Sequence, residues 1–239
     1  SYNGSPILAW YQGSYVSTYV SPTASAVHAF AINNHKFGGN ADEDPYVDAV
    51  RGGLNYLVNG YTSSSSYPAL RSVAISTVNH GVDGIHNPDG NTNGYGIEAY
   101  GGSGDPPYQG GQVMDAIISS GVAPGASTGR DFAPGGAGSH IWTYGEVVQD
   151  MVDMYAWGQY DGTGCNGGIC GSWWYGWNYS FPGDNSASQW GAIGILPAME
   201  APWNAVVPQW LKTYNANWLA YSMGCTGPSS AVTACSYSY

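Results

Sequence analysis

The densest run of ligand-type residues is DGNTNGYGIEAY, residues 89–100. Asp89, Asn91 and Asn93 place oxygen-bearing side chains at alternate positions and Gly94 follows at the sharp turn, which is how a calcium loop opens. The end of the pattern departs, because its twelfth position is Tyr100 and the nearest carboxylate is Glu98. A Ca²⁺ ion takes six to eight oxygens, so Glu98, the Tyr95 carbonyl and Asp83 are the groups left to complete the set. Such an ion would be structural, fixing an insert that propensity leaves irregular; the sequence requires no other cofactor. The competing reading is a run of Asn-Gly turns.

A second chemistry is open to carboxylates and aromatics together. Glycan-active sites use paired carboxylates about 5 to 10 Å apart, or a His and a Tyr for proton abstraction. Asp184, Glu98, His140 and Tyr108 are the candidates, with Asp105, Gln109 and Ser186 near them. In SWWYGW (172–177), Trp173, Trp174 and Trp177 offer rings for stacking on sugars, and Gln189 offers an amide to their hydroxyls. Each has a plainer role: Asp184 as a helix cap, Gln189 and Trp190 as packing between helices, the Trp cluster as cover for an edge. No pair has a spacing that itself implies catalysis, so the reading leans away from an enzyme.

These residues sit on or between three helical patterns. From Tyr144 to Tyr160, Val147, Val148, Met151, Met154, Tyr155 and Gly158 recur at helical spacing, which sets Glu146, Asp150 and Asp153 on the other side. From Asp184, a capping residue, Trp190, Ala192, Ile193, Ile195, Leu196, Ala198 and Met199 leave almost no polar face, predicting a helix buried all round that ends by Pro202. A third, amphipathic pattern starts near Pro208 with Trp210, Leu211, Tyr214, Trp218, Leu219 and Tyr221.

DNSASQW followed by an apolar helix and then a VPQW helix resembles the α/α-toroid repeats of the squalene cyclase and prenyltransferase superfamily. AVHAFAINNHKFGGNADEDPYVDAVRGGLNYLV (26–58) resembles the same hairpin. The resemblance implies an all-α fold of inner helices around a funnel and outer helices wrapping them. About four hairpins of the usual six would be present, as an open arc or a fragment of a longer ring. It does not imply the family's chemistry. Asp42, Glu43 and Asp44 do not form D-x-D-D, since position 45 is Pro, and all four cysteines lie in repeat loops rather than around the funnel.

Elsewhere, Ile7 to Val20 reads as a short helix, and Pro22 to Ile32 as an inner helix on which His28 is a satisfied core residue. Pro45 to Asn59 is a helix capped by Asp44 with Val47, Val50, Leu54, Leu57 and Val58 inward. SVAIST (72–77) alternates like a strand while its neighbours are spaced like a helix. Residues 79–107 and 125–139 are Gly-rich inserts within one domain spanning 1–239. Tyr108 to Ser120 is again helical, stopped by Gly121.

Only 9% of the 239 residues are charged, against about a quarter in ordinary soluble proteins, and the net charge is −11. Nucleic acid and anionic membrane are therefore poor partners. With 20 Tyr and 10 Trp, the surface must be neutral and aromatic, which favours polysaccharide or other copies of the chain. No apolar run is long enough to cross a membrane as a helix.

Cys165 and Cys170, then Cys225 and Cys235, repeat one arrangement after two helices, a Cys, a small-residue loop, a second Cys and then aromatics, which pairs them as two equivalent disulfide staples. Four cysteines allow three connectivities, and a four-thiolate Zn site is the alternative. Disulfides, a start at Ser1 without Met, and glycosylation sequons at Asn3 and Asn178 suggest a processed, extracellular or cell-surface protein. The function expected is a secreted or cell-surface helical-repeat scaffold that assembles with itself, binds glycans, or both. A polysaccharide lyase or glycoside hydrolase is the alternative.

Overall fold

The computed structural model describes residues 20–60, 68–75, 86–100, 105–133, 140–161, 170–177 and 183–223. Their order is α1 (Val20–Ile32), α2 (Tyr46–Asn59), β1 (Leu70–Ala74), β2 (Tyr95–Ala99), α3 (Pro106–Ser119), α4 (Tyr144–Gly158), α5 (Asn185–Ala198) and α6 (Gln209–Ser222). The Ile7–Val20 pattern falls outside these residues except at its last position, and Asp83, Asn3, Asn178, Cys165, Cys225 and Cys235 lie outside them altogether.

The all-α expectation is overturned. β1 and β2 pair antiparallel, Arg71 opposite Glu98 and Ser72 opposite Ile97, so the alternation in SVAIST prevails over the helical spacing around it. Its partner lies inside the stretch read as an irregular insert, where β-branched Ile97 is the only cue. The fold is mixed, six helices with a two-stranded sheet, and no closed or partial toroid is evident among the described residues.

Three helices run side by side in the same direction. Ser25 bonds Gln112 while His28 meets Asp115, and both members of the second contact lie three residues further along, so α1 and α3 are parallel. Tyr108 meets Ser186, Gly111 faces Trp190 and Met114 faces Gly194, so α3 and α5 are parallel too. The α3–α5 approach is close because glycines line it: a Cβ on Gly194 would lie 2.9 Å from the Gly111 Cα, inside ordinary contact distance.

That approach corrects the view of α5 as buried all round. Its packed face is Ala187, Ser188, Gly191, Gly194, Ile195 and Ala198, small residues apart from Ile195, which lets two backbones come together. Ile193 (38% exposed) and Leu196 (62%) point outward instead. The pattern was apolar throughout, but size, not hydrophobicity, decides which side meets α3.

α2 packs on α1, and α4 packs on β2, α3 and α5. The core gathers Leu54 and Leu57 of α2, Ile97 of β2, Val113, Met114 and Ile117 of α3, and Val147, Met151 and Tyr155 of α4. Each such side chain contributes roughly 1.5–3 kcal/mol on burial. α4 begins with a full capping box, Thr143 and Glu146 satisfying each other's backbone N–H. Asp150 and Asp153, expected on its polar side, are fully buried, because that side is covered by the loop before β2. Of the 125–139 insert, residues 125–133 are described, and they are tied to the start of α4: Thr128 N–H donates to the Trp142 carbonyl at 2.9 Å and Trp142 N–H to that of Arg130 at 3.0 Å.

Candidate functional site

The parallel α1, α3 and α5 share one face, built from residues spaced three or four apart on each. α1 supplies Ser25 and His28, α3 supplies Tyr108, Gln112 and Asp115, and α5 supplies Ser186, Trp190 and Ile193. In its middle lies a cleft of about 390 Å³ lined by Ser25, His28, Gln112, Asp115, Trp190 and Ile193, within the usual size of small-ligand sites.

Polar groups in the cleft are held by their neighbours. Gln112 Nε2 donates to the Tyr108 carbonyl at 3.2 Å, which turns its Oε1 to accept from Ser25 Oγ at 3.1 Å. His28 Nδ1 stands 2.8 Å from Asp115 Oδ2, at ion-pair distance but without hydrogen-bond alignment. Burial raises the Asp115 pKa above the usual carboxylate value, and His28 beside it offsets part of that.

The N-terminal end of the face carries a hydrogen-bond relay. Asp184 Oδ1 accepts from the Ala187 N–H at 2.7 Å, capping α5, and from Ser186 Oγ at 2.8 Å. The Tyr108 hydroxyl bonds Ser186 Oγ in turn. Burial works to raise the Asp184 pKa, but bonds from Tyr175, Ala187 and Ser186 outweigh it and hold the carboxylate below its usual value. The bond to Asp184 pushes the Tyr175 phenol up to about 12. The Tyr175 ring stacks on Tyr108 with centroids 5.3 Å apart and planes 8° from parallel. Trp174 meets Tyr175 edge-on at 5.0 Å and is 38% exposed.

The predicted residues therefore divide. Asp184, Tyr108, Trp174 and Gln189, which is exposed at the start of α5, gather at this end of the face. Trp173 lies in the core, its indole donating to the Tyr155 carbonyl at 2.8 Å. Trp177 is half-buried, donating to Glu98 Oε2 at 2.7 Å. Glu98 is itself buried and paired across the sheet with Arg71. His140 stands at the start of α4 with its Nε2 2.8 Å from Glu146 Oε1. Glu98, His140 and Asp184 thus belong to three separate hydrogen-bond networks.

The predicted metal ligands also divide. Asp89 accepts from the N–H of Asn93 at 3.2 Å and of Gly94 at 2.8 Å, and Gly94 takes the left-handed φ of 83° that its turn demands. Asn91 and Asn93 reach Asp150 of α4, Asn93 Nδ2 at 2.9 Å from Oδ2. Tyr95 begins β2, and Glu98 is spent on Arg71 and Trp177.

Ser25 and Asp115 carry no cue of their own in the sequence, Gln112 reads there as part of the inner face of its helix, and His28 as core. Their meeting depends on the α1–α3 register, for which the sequence carries no cue. Asp150 and Asp153 did leave one: with Glu146 they form a stripe of carboxylates one turn apart, which needs either water or a partner. Cys170 is buried and disulfide-bonded, its partner lying outside the described residues.

Compared with known proteins, the chain matches no family model, no curated protein and no solved structure. The resemblance to toroid repeats accordingly rests on residue pattern alone.

Proposed function

We propose that the α1–α3–α5 face is a glycan-binding surface of a secreted or cell-surface scaffold protein. The observation carrying this reading is the Trp174–Tyr175–Tyr108 aromatic group set beside the Asp184–Ser186–Tyr108 relay and continuous along α3 with the cleft. Sugar rings present C–H faces to aromatic rings and hydroxyls to fixed acceptors and donors, and this face offers both side by side. Scarce charge suits a neutral glycan, and the disulfide at Cys170 suits an oxidising compartment.

Spacing argues against hydrolysis. Asp184 adjoins Tyr108, and Asp115 lies seven residues further along α3, roughly 10 Å away along the axis. Retaining glycosidases hold their carboxylates about 5–5.5 Å apart and inverting ones about 6.5–9.5 Å. A long polymer crossing the face meets two polar stations rather than one cutting point.

Affinity electrophoresis through gels containing neutral polysaccharides tests the reading. The chain is expected to be retarded by at least one of them, and Trp174→Ala to migrate freely. Free migration of the unaltered chain in every gel, or equal retardation of Trp174→Ala, overturns it. Self-assembly is a second reading, favoured by the exposure of Leu196 and of Ile32 at the other end of the face. Sedimentation that shows a monomer at every concentration removes it.

A further inference from the structure

The calcium pattern, read on its own strand, lacked its closing carboxylate. The fold brings two from elsewhere. α4 lies against the 87–94 loop: Gly90 sits over the Gln149 and Asp153 side chains so closely that a Cβ there would stand 2.8 Å from Gln149 Nε2 and 3.0 Å from Asp153 Oδ1. Asp150 bridges the amides of Asn91 and Asn93. Asp153 Oδ1 accepts from Gln149 Nε2 at 2.8 Å. Its other oxygen, Oδ2, is buried with no hydrogen-bond partner, on a residue with no exposed surface.

We propose that Asp89, Asn91 and Asn93 of the loop, with Asp150 and Asp153 of α4, form a Ca²⁺ site that pins the loop to the helix. An unpartnered carboxylate oxygen costs about 1–3 kcal/mol, more when charged, and a buried carboxylate that is neither paired nor bound to metal is strongly disfavoured. A divalent cation removes that cost at a stroke. No three His, Cys, Asp or Glu side chains among the described residues, Asp89, Asp150 and Asp153 included, already converge as a metal site, so binding must draw the loop and α4 closer together. Asn91 and Asn93 turn Nδ2 toward Asp150, while their Oδ1 atoms accept from the N–H of Asn93 and of Tyr95; each Oδ1 keeps a second lone pair for a cation. Asp150 then takes the place of the bidentate carboxylate that ends an ordinary calcium loop, and the set reaches the hard oxygens Ca²⁺ requires.

The electrostatics agree. Burial foremost, with repulsion from Asp89 among the lesser causes, pushes Asp150 up to about 7 and Asp153 up to about 8. Glu98, the carboxylate the sequence pattern offered, takes no part.

Equilibrium dialysis of the full chain against Ca²⁺ alone, with thermal unfolding in CaCl₂ and in EDTA, tests this. One Ca²⁺ per chain should bind, and unfolding should shift upward in CaCl₂. Asp150→Asn and Asp153→Asn should each weaken binding at least tenfold. Asn93→Ala, on an exposed residue whose loss leaves the core intact, should weaken it too, and Glu98→Gln should not. No binding by the folded chain at millimolar Ca²⁺, or undiminished binding by both Asp150→Asn and Asn93→Ala, overturns the site. So does an unfolding midpoint of the unaltered chain that is the same in CaCl₂ and in EDTA.

Discussion

The α3–α5 approach sets the width of the candidate face, and Gly111→Ala tests it. In an exposed helix this change gains about 1 kcal/mol from helix propensity. Here the new Cβ would overlap the Trp190 carbonyl group, and both partners are backbone, so no rotamer change relieves the clash. Overpacking a well-filled site costs about 1–3 kcal/mol, occasionally more, and an unrelievable backbone overlap belongs at or above the upper end. The net effect is a loss of about 2 kcal/mol or more. Gly194→Ala meets the Gly111 Cα at 2.9 Å and the mobile Met114 Cε at 2.9 Å, a milder contact that its propensity gain should largely cancel. Urea unfolding followed by tryptophan fluorescence measures both. The reasoning is refuted if Gly111→Ala is as stable as the unaltered chain, or if Gly194→Ala is the more damaging of the two.

Arg71→Met should destabilise the chain by about 3 kcal/mol, because it strands the buried Glu98 charge. Glu98→Gln and the double variant should cost less, so a double-mutant cycle by urea unfolding shows the coupling. Burial tends to raise the Glu146 pKa, but bonds from Thr143 and His140 outweigh it and hold the carboxyl below its usual value. A depressed folded pKa gives stability that is complete above the unfolded value of 4.5 and is lost as pH falls through the folded one. Thermal unfolding between pH 6 and pH 3 should therefore show a smaller acid loss in Glu146→Gln than in the unaltered chain. Trp173→Ala should cost about 3–5 kcal/mol as a core deletion, measured by urea unfolding, while Trp174→Ala leaves stability nearly unchanged.

Periodicity placed α1 to α6 in the sequence, and at α5 the Asp184 cap marked the start as well; the cap expected from Asp44 gives way at α2 to Pro45, which makes no side-chain cap. What failed depends on partners distant in the chain. Leu70–Ala74 became a strand only because Tyr95–Ala99 returns to pair with it. α5 looked uniformly apolar, and which side it buries is decided by Gly111 and Met114 of another helix. Asp150 and Asp153 looked solvated until the Asn-rich loop covered them. For the site, Asp184, Tyr108, Trp174 and Gln189 were legible as types, and the loop ligands Asp89, Asn91 and Asn93 as a motif. The His28–Asp115 and Ser25–Gln112 contacts arise from the register between two helices, and the residues that meet are 87 positions apart in the chain. Trp173, Trp174 and Trp177 looked alike in sequence; the fold gave them a core, a surface and a boundary position.

The central claim is that glycan lies along α1, α3 and α5. Calorimetric titration of the chain with neutral oligosaccharides of increasing length tests it most directly. Affinity should rise with length until both Asp184 and Asp115 are spanned and then level off, with Trp174→Ala lowering every value and Asp115→Asn lowering only the longer ones. Heat of binding that is absent at all lengths, or that is unaffected by both variants, contradicts the account.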